Sequence, residues 1–479
     1  MYRARSTIWK QAAEIKASLF NRAFAPVDIA PLVWFRVVFG GLMCAEVWRF
    51  FSNNSIVPFF VEPPFLFKYY GFEWVRPLPE AELKFHFLLL AILSQFILLG
   101  LFYRVATTLF FIGFTYVFLL DEARYLNHFY LICLFSFLLI FVPAHRAFSF
   151  DALRRPRLRS GTCPAWAPWL LRSQLCIVFF FAGIAKINGD WLHAQPLRMW
   201  LAKRAAMPVI GPYLAQEWTA WAFSYGGLFF DLLIVPFLLW PRTRWWAFSA
   251  VALFNLVNGW IFQIGIFPWL TLGATLILFA PKLPHPVRSL WTSTLPAREM
   301  TPRRKLVILS LAGTYLALQI LMPLRHWLYP GAVQWTEEGH RFSWRMKLRD
   351  KQSELRLTAH DPVSASTWNV DLSDYINLEQ YLAASGQPDM ILQLCHHVAD
   401  DFRRHGYPDI QIRAHASVSL NGRTEQLLID PDVDLAAEPR TLWHSNWITP
   451  LTVSFESPRR DGITNKPDSG PKDIESVDP

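Results

Sequence analysis

Nine mostly apolar stretches, each close to the length that crosses a bilayer, run through the first two thirds of the chain. They fall at about 29–51, 82–102, 105–120, 127–143, 167–187, 217–240, 245–263, 265–281 and 306–324. This pattern predicts an α-helical polytopic membrane protein. Ahead of the spans, Ile8, Trp9, Ala12, Ile15, Leu19 and Phe20 share one helical stripe, with Lys10, Lys16 and Arg22 among them. No secretory leader is expected there; residues 1–28 read as an amphipathic helix lying on the membrane surface.

Past Leu324 the pattern changes. Phe342, Trp344, Met346 and Leu348 alternate with polar residues and predict a half-buried strand. Asp350–Glu354 reads as a polar turn, and Leu355 and Leu357 begin a return strand. Ile391, Leu394, Cys395, Val398 and Phe402 keep helical spacing between Pro388 and Gly406. Ile410, Ile412, Val418 and Leu420 then alternate into the hairpin pair Asn421-Gly422. The expected organisation is a surface helix at 1–28 and a transmembrane domain at 29–331. A small extracytoplasmic α+β domain follows at 332–456, then a disordered polar tail at 457–479.

Composition agrees: 53% of residues are hydrophobic and only 17% charged, against about 25% charged in an average soluble domain. The net charge of +9 is explained by its location. Arg146, Arg154, Arg155, Arg157, Arg159, Arg242, Arg244 and Lys282 lie in loops on one side of the spans. Such an excess marks the cytoplasmic face, which argues against nucleic acid as a partner. It is expected to place the N-terminus in the cytoplasm and the α+β domain outside, with the spans in the inner membrane if the cell is bacterial. Five cysteines make no disulfide framework.

The usual catalytic signatures are missing: there is no Walker loop, no G-x-G-x-x-G, no H-E-x-x-H and no paired C-x-x-C. The adjacent His396 and His397 point in different directions on a helix and read as a surface pair, not a metal site. Ionisable groups inside the spans are costly and mark function by default. Arg36, Glu46, Arg49, His86, His128, Lys186 and Asp231 qualify, with Asn127, Asn255 and Asn258. Glu46 and Arg49, one turn apart, are expected to pair, and His86 to be structural. Arg36 and Asp231 read either as a buried structural pair or as functional groups. Lys186 ends the apolar run from Cys176 and precedes Ile-Asn-Gly-Asp190-Trp191. It is either a snorkelling side chain or a partly desolvated amine able to act as a general base. His128 is expected at the same depth, which would suit a lipid-soluble substrate.

Several segments, in order, carry a resemblance. They are Leu19-Phe-Asn-Arg, Phe35-Arg-Val-Val-Phe-Gly-Gly-Leu-Met, Leu101-Phe-Tyr-Arg104, Tyr116-Val-Phe-Leu-Leu-Asp121, Asn127-His128 and Ala182-Gly-Ile-Ala-Lys186-Ile-Asn-Gly-Asp190-Trp191. Phe262 to Phe267 follows, then Phe342-Ser-Trp344, Asp430-Pro-Asp-Val-Asp434, Trp447 and Pro450-Leu451. Over most of 19–455 the chain resembles the vitamin K-dependent γ-glutamyl carboxylases and their bacterial relatives, the horizontally transferred transmembrane (HTTM) proteins.

The resemblance implies that Lys186 is the base that deprotonates vitamin K hydroquinone, or menaquinol in a bacterium. Oxidation of the quinol by O2 to its epoxide then yields a base strong enough to take a glutamate γ-proton, and CO2 captures the carbanion. No metal, biotin or ATP is required. His128 would stabilise an anionic intermediate, with Asn127 and Asn258 on the cofactor. His340, Trp344 and Arg349 fall in the segment that binds the glutamate-containing polypeptide. Here the chain departs from animal members, which carry a tyrosine and a histidine where His340 and Arg349 stand. They also have a disulfide cysteine at the position of Phe67 and a lysine before Lys186, where this chain has Ala185. Animal members also extend beyond the Trp447 segment. Two other readings are compatible with the residues: a quinol epoxidase without carboxylation, and a non-catalytic membrane scaffold or transporter on the same fold.

Overall fold

A computed structural model describes residues 18, 20–262, 264–279 and 300–454. The proposed surface helix therefore lies largely outside the described residues, as does the proposed tail. Among the described residues, seven helices are long and apolar enough to cross a membrane. They are α1 (Ala30–Ser52), α2 (Glu80–Leu99), α3 (Tyr103–Leu120), α5 (Trp166–Ala185), α6 (Glu217–Leu239), α7 (Arg244–Phe262) and α9 (Pro302–Leu324). Two shorter apolar helices complete the bundle, α4 (Asn127–Phe141) and α8 (Phe267–Phe279). Together they follow the nine predicted spans in order.

These helices are apolar nearly all round, as lipid-facing helices must be. Phe85, Ile112 and Leu311 are exposed on the outside of the bundle, while Phe35, Phe39, Phe87, Phe110 and Phe135 fill its centre. Two glycines set how closely the helices approach. A Cβ on Gly40 would lie 2.5 Å from the Leu98 backbone nitrogen, so α1 and α2 touch there. A Cβ on Gly183 would lie 2.6 Å from Leu232 Cδ2, so α5 and α6 meet one turn before Lys186.

Beyond α9 a four-stranded antiparallel sheet packs on a helix. Its strands are β1 (Lys351–Asp361), β2 (Ser366–Val370), β3 (Gln411–Leu420) and β4 (Gln426–Leu427), in the order β2-β1-β3-β4. The register pairs Leu355 with Ala416 and Leu357 with Ala414. The long helix α11 (Pro388–Arg404) follows the short α10 (Leu378–Ala384). It lays Ile391, Leu394, Cys395 and Val398 on the buried face of the sheet, among Leu355, Leu357, Ile412 and Val418. Asn421 and Gly422, with φ of 54° and 79°, turn the chain after β3.

Two expectations need correcting. The segment 342–348 is no strand, and β1 begins at Lys351, inside the stretch read as a turn. The alternation of Phe342, Trp344 and Leu348 has another cause: these side chains pack downward onto the membrane helices rather than onto a sheet. Arg36 and Asp231 also do not pair. Arg36 sits in the second turn of α1 and donates to the Phe148 carbonyl, whereas Asp231 belongs to Lys186.

The sheet domain stands on one end of the bundle and is tied to three of its connections. Gln380 Nε2 donates to Phe65 O (2.8 Å) and Asp121 Oδ2 (3.1 Å). Arg440 reaches Asp389, the Lys68 carbonyl and Glu122, and Arg341 lies 3.0 Å from Glu122. Asn421 and Arg423 grip Asp190 at 2.7 and 2.5 Å. All three connections join helices whose alternation brings them to the same face.

Candidate active site

Lys186 caps the C-terminus of α5. Rather than snorkelling, it is buried and its Nζ lies 2.5 Å from Asp231 Oδ2 on α6, itself buried. The Ala182 carbonyl at 3.3 Å is a second acceptor, and the Trp191 ring lies 5.3 Å away. The loop that supplies Trp191 is built locally. Asn188 caps the short helix Gly189–Leu192 by accepting from Trp191 N, and the Trp191 indole donates to Ser224 O at 2.9 Å. Gly227 on α6 faces the lysine: a Cβ there would lie 3.8 Å from Lys186 Cε, at ordinary van der Waals distance.

His128, in the first turn of α4, is partly accessible and packs against Phe129 (4.9 Å) and Phe267 (6.0 Å). No hydrogen bond, ion pair or ring contact joins it to Lys186 among the described residues. What connects the two ends is the segment 342–349. Phe342 N donates to Tyr125 Oη (2.7 Å), which donates in turn to Asn127 Oδ1 (3.1 Å). Asn127 Nδ2 then donates to the Arg345 carbonyl at 3.5 Å. Asn127 thus positions this segment beside His128. Trp344 is fully buried and stacks on Tyr130 with centroids 5.1 Å apart. At the far end Leu348 packs with Ala185 and Trp191, next to the lysine. Phe342, Trp344 and Lys347 all hold positive φ, at 62°, 58° and 52°. Such conformations cost about 1–3 kcal/mol each and persist only where the surroundings enforce them, most often at functional sites.

His340 and Arg349 converge, but on a residue of the chain itself. Glu337 accepts from Arg349 at 2.7 Å and is ion-paired with Lys351 at 2.9 Å, with His340 Nδ1 at 3.6 Å. Burial alone would raise the Glu337 carboxyl, but Arg349, Lys351 and His340 outweigh it and hold it down to about 2. Burial, followed by the nearby Arg349, Arg345 and Arg341, pushes His340 well below the usual imidazole value against the pull of Glu337.

Asn258 makes no hydrogen bond among the described residues. Its neighbours on α7 matter more: Asn255, Gly259 and Trp260 line a cavity of about 380 Å³ with Pro268, Trp269 and Leu272 of α8. Phe267, which touches His128, directly precedes Pro268. A larger cavity of about 670 Å³ lies in the sheet domain beside Leu355–Leu357 and α10, and none of the residues above lines it. Among the described residues, no group of three or more His, Cys, Asp and Glu side chains is placed to hold a metal ion.

The HTTM domain matches residues 24–282. The lumenal domain of vitamin K-dependent gamma-carboxylase matches residues 304–454. The chain belongs to the vitamin K-dependent gamma-carboxylase family. The first match covers the helices that carry His128, Lys186 and Asp231, and the second covers α9 and the sheet domain. This gamma-carboxylase family member is therefore a carboxylase-like integral membrane protein with an extracytoplasmic domain. No solved structure matches it.

Sequence reasoning singled out Asp231 but gave it the wrong partner, and it passed over Glu337 and Asp190 as a site residue. Asp231 carries the same signal as Lys186, an ionisable group in an apolar run. Only the approach of α5 and α6 at Gly183 reveals that the two signals are one feature.

Proposed function

We propose that this protein oxidises a vitamin K-type quinol to its epoxide and couples that oxidation to carboxylation of glutamate side chains on an extracytoplasmic polypeptide. The carrying observation is the buried pair of Lys186 and Asp231, at the edge of the segment that Asn127 holds in place. A buried ion pair seldom adds net stability over well-packed apolar residues, so a scaffold has little use for one here. A base does. For this role Lys186 Nζ starts as the neutral amine beside the Asp231 carboxylate; it takes a proton from the quinol hydroxyl, and Asp231 balances the ammonium that forms, so the pair carries no net charge afterwards in a dry environment. His128, partly accessible and walled by aromatic rings, faces the same quinol as an electrostatic partner.

The groove between α7 and α8 supports this reading. Its volume lies in the range of small-molecule sites, its lining is apolar apart from Asn255, and Leu256, Trp260 and Trp269 lie open on its outer side. A lipid-soluble quinol fits that chemistry. The quinol supplies, on oxidation by O2, the strong base that glutamate carboxylation needs, and CO2 supplies the new carboxyl group. Basic loops at the opposite end from the sheet domain support a cytoplasmic position for that end and for the N-terminus.

The test uses purified protein in detergent with reduced vitamin K, O2, labelled bicarbonate and a short glutamate peptide. Epoxide and fixed label are both expected from the wild type, and both are expected to vanish in Lys186→Ala. Epoxide without label would leave a quinol epoxidase. Neither product from folded wild-type protein would leave the scaffold reading.

A further inference from the structure

The cations of the 337–351 region outnumber its anions. Arg349 and Lys351 already occupy both oxygens of Glu337, and Arg341 is paired with Glu122. Arg345 has nothing. Its residue is 8% exposed, yet its guanidinium makes no ion pair or hydrogen bond among the described residues. Among the described residues, the hydrogen bond that holds Arg345 is through its backbone carbonyl, which accepts from Asn127 Nδ2. The Arg345 guanidinium nitrogens are not fully occluded, whereas Arg349 Nε and Trp344 Nε1 are occluded without a partner. Burial pushes the Arg345 pKa down to about 10, and the opposing pull of Glu337 is too weak to offset it.

A covered guanidinium without an anion is expensive, and its planar fork matches a carboxylate bidentately. It sits one residue from the Trp344 wall and is anchored to the neighbour of His128. We propose that Arg345 binds the side-chain carboxylate of the glutamate to be modified, an assignment that rests on the carboxylase reading above. The charge balance also fits the chemistry. When the γ-proton leaves to the base generated by quinol oxidation, its electron pair delocalises onto that carboxylate. The extra charge stays there until the γ-carbon bonds to CO2. A fixed guanidinium stabilises the charge as it develops.

The experiment measures binding without quinol, so it does not depend on turnover. A fluorescent peptide with one central glutamate, and its glutamine counterpart, are titrated against full-length protein in detergent by anisotropy. Wild type should bind the glutamate peptide at least about tenfold more tightly than the glutamine peptide. Arg345→Gln should erase that preference and leave the glutamine peptide's affinity unchanged, while Arg345→Lys should keep part of it. If Arg345→Gln fails to fold, Arg345→Lys together with displacement of the glutamate peptide by malonate from wild type decides the matter. No preference in wild type, or the same preference in Arg345→Gln, would overturn the assignment. A preference that depends on Arg345 in protein that makes neither epoxide nor fixed label would sustain the clamp and defeat the carboxylase reading alone.

Discussion

At the scale of single residues, the site is organised around carboxylates that neutralise buried cations. Asp231 does this for Lys186 across 2.5 Å. Asp231→Asn is expected to slow quinol oxidation by roughly 100-fold, the usual scale for acid–base catalysis, with little change in the KM for quinol. An unchanged kcat would show that the ammonium needs no such partner. The Glu337 cluster makes a different prediction, about stability. His340 is held neutral in the fold, whereas in the unfolded chain it gains a proton below about 6.5. The unfolded state therefore binds more protons as pH falls, and stability is lost between about pH 7 and 5. Glu337, held down to about 2, stays ionised through that range and contributes to loss only below about 4.5. The Tm of the whole protein should fall from pH 7 to pH 5, and His340→Gln should flatten much of that slope. A parallel slope in the variant would assign the acid sensitivity elsewhere.

At the scale of elements, the decisive approach is that of α5 to α6. A side chain at Gly183 would drive into Leu232, the residue after Asp231. Gly183→Val is expected to cost about 1–3 kcal/mol by overpacking and to abolish quinol oxidation by separating Lys186 from Asp231. Leu232→Ala on that background should recover part of both, read as Tm and epoxide yield. The nine helices, α11 and the turn at Asn421-Gly422 were legible in the sequence, because apolar length, helical period and turn chemistry are local. Segment 342–349 was not. Its alternation at Phe342, Trp344 and Leu348 mimics a strand, but the partner surface is the bundle's aromatic rim, set by residues some 200 positions away such as Tyr125 and Tyr130. The pairing of Lys186 with Asp231 was hidden for the same reason. Each charge was visible, but the helix contact between them was not. Arg345 looked like the solvated side of a strand.

At the scale of the whole molecule, the sheet domain is fastened beside both halves of the site. One attachment, through Asp121 and Glu122, lies just before Asn127 and His128; the other, through Asp190, lies just after Lys186. The Arg423–Asp190 contact is mostly covered, at 9% and 15% exposure, so it should couple the two domains measurably. Combining Asp190→Ala with Arg423→Ala should cost less than the sum of the single changes. An interaction term of about 1–3 kcal/mol is expected from thermal unfolding, whereas simple additivity would mean the contact carries no energy. Both single variants should also raise the KM for a glutamate peptide more than that for quinol.

The same contact has a consequence in time. Lys186 meets Asp231 once 45 further residues have been made, but Asp190 must wait for Arg423, 233 residues downstream. From Asp231 to Arg423, at about 5–20 residues per second of synthesis, the interval is roughly 10–40 s. For that period the nascent chain holds a complete base and no docked sheet domain, so the order of translation itself delays assembly of the peptide-handling half until the membrane half is in place.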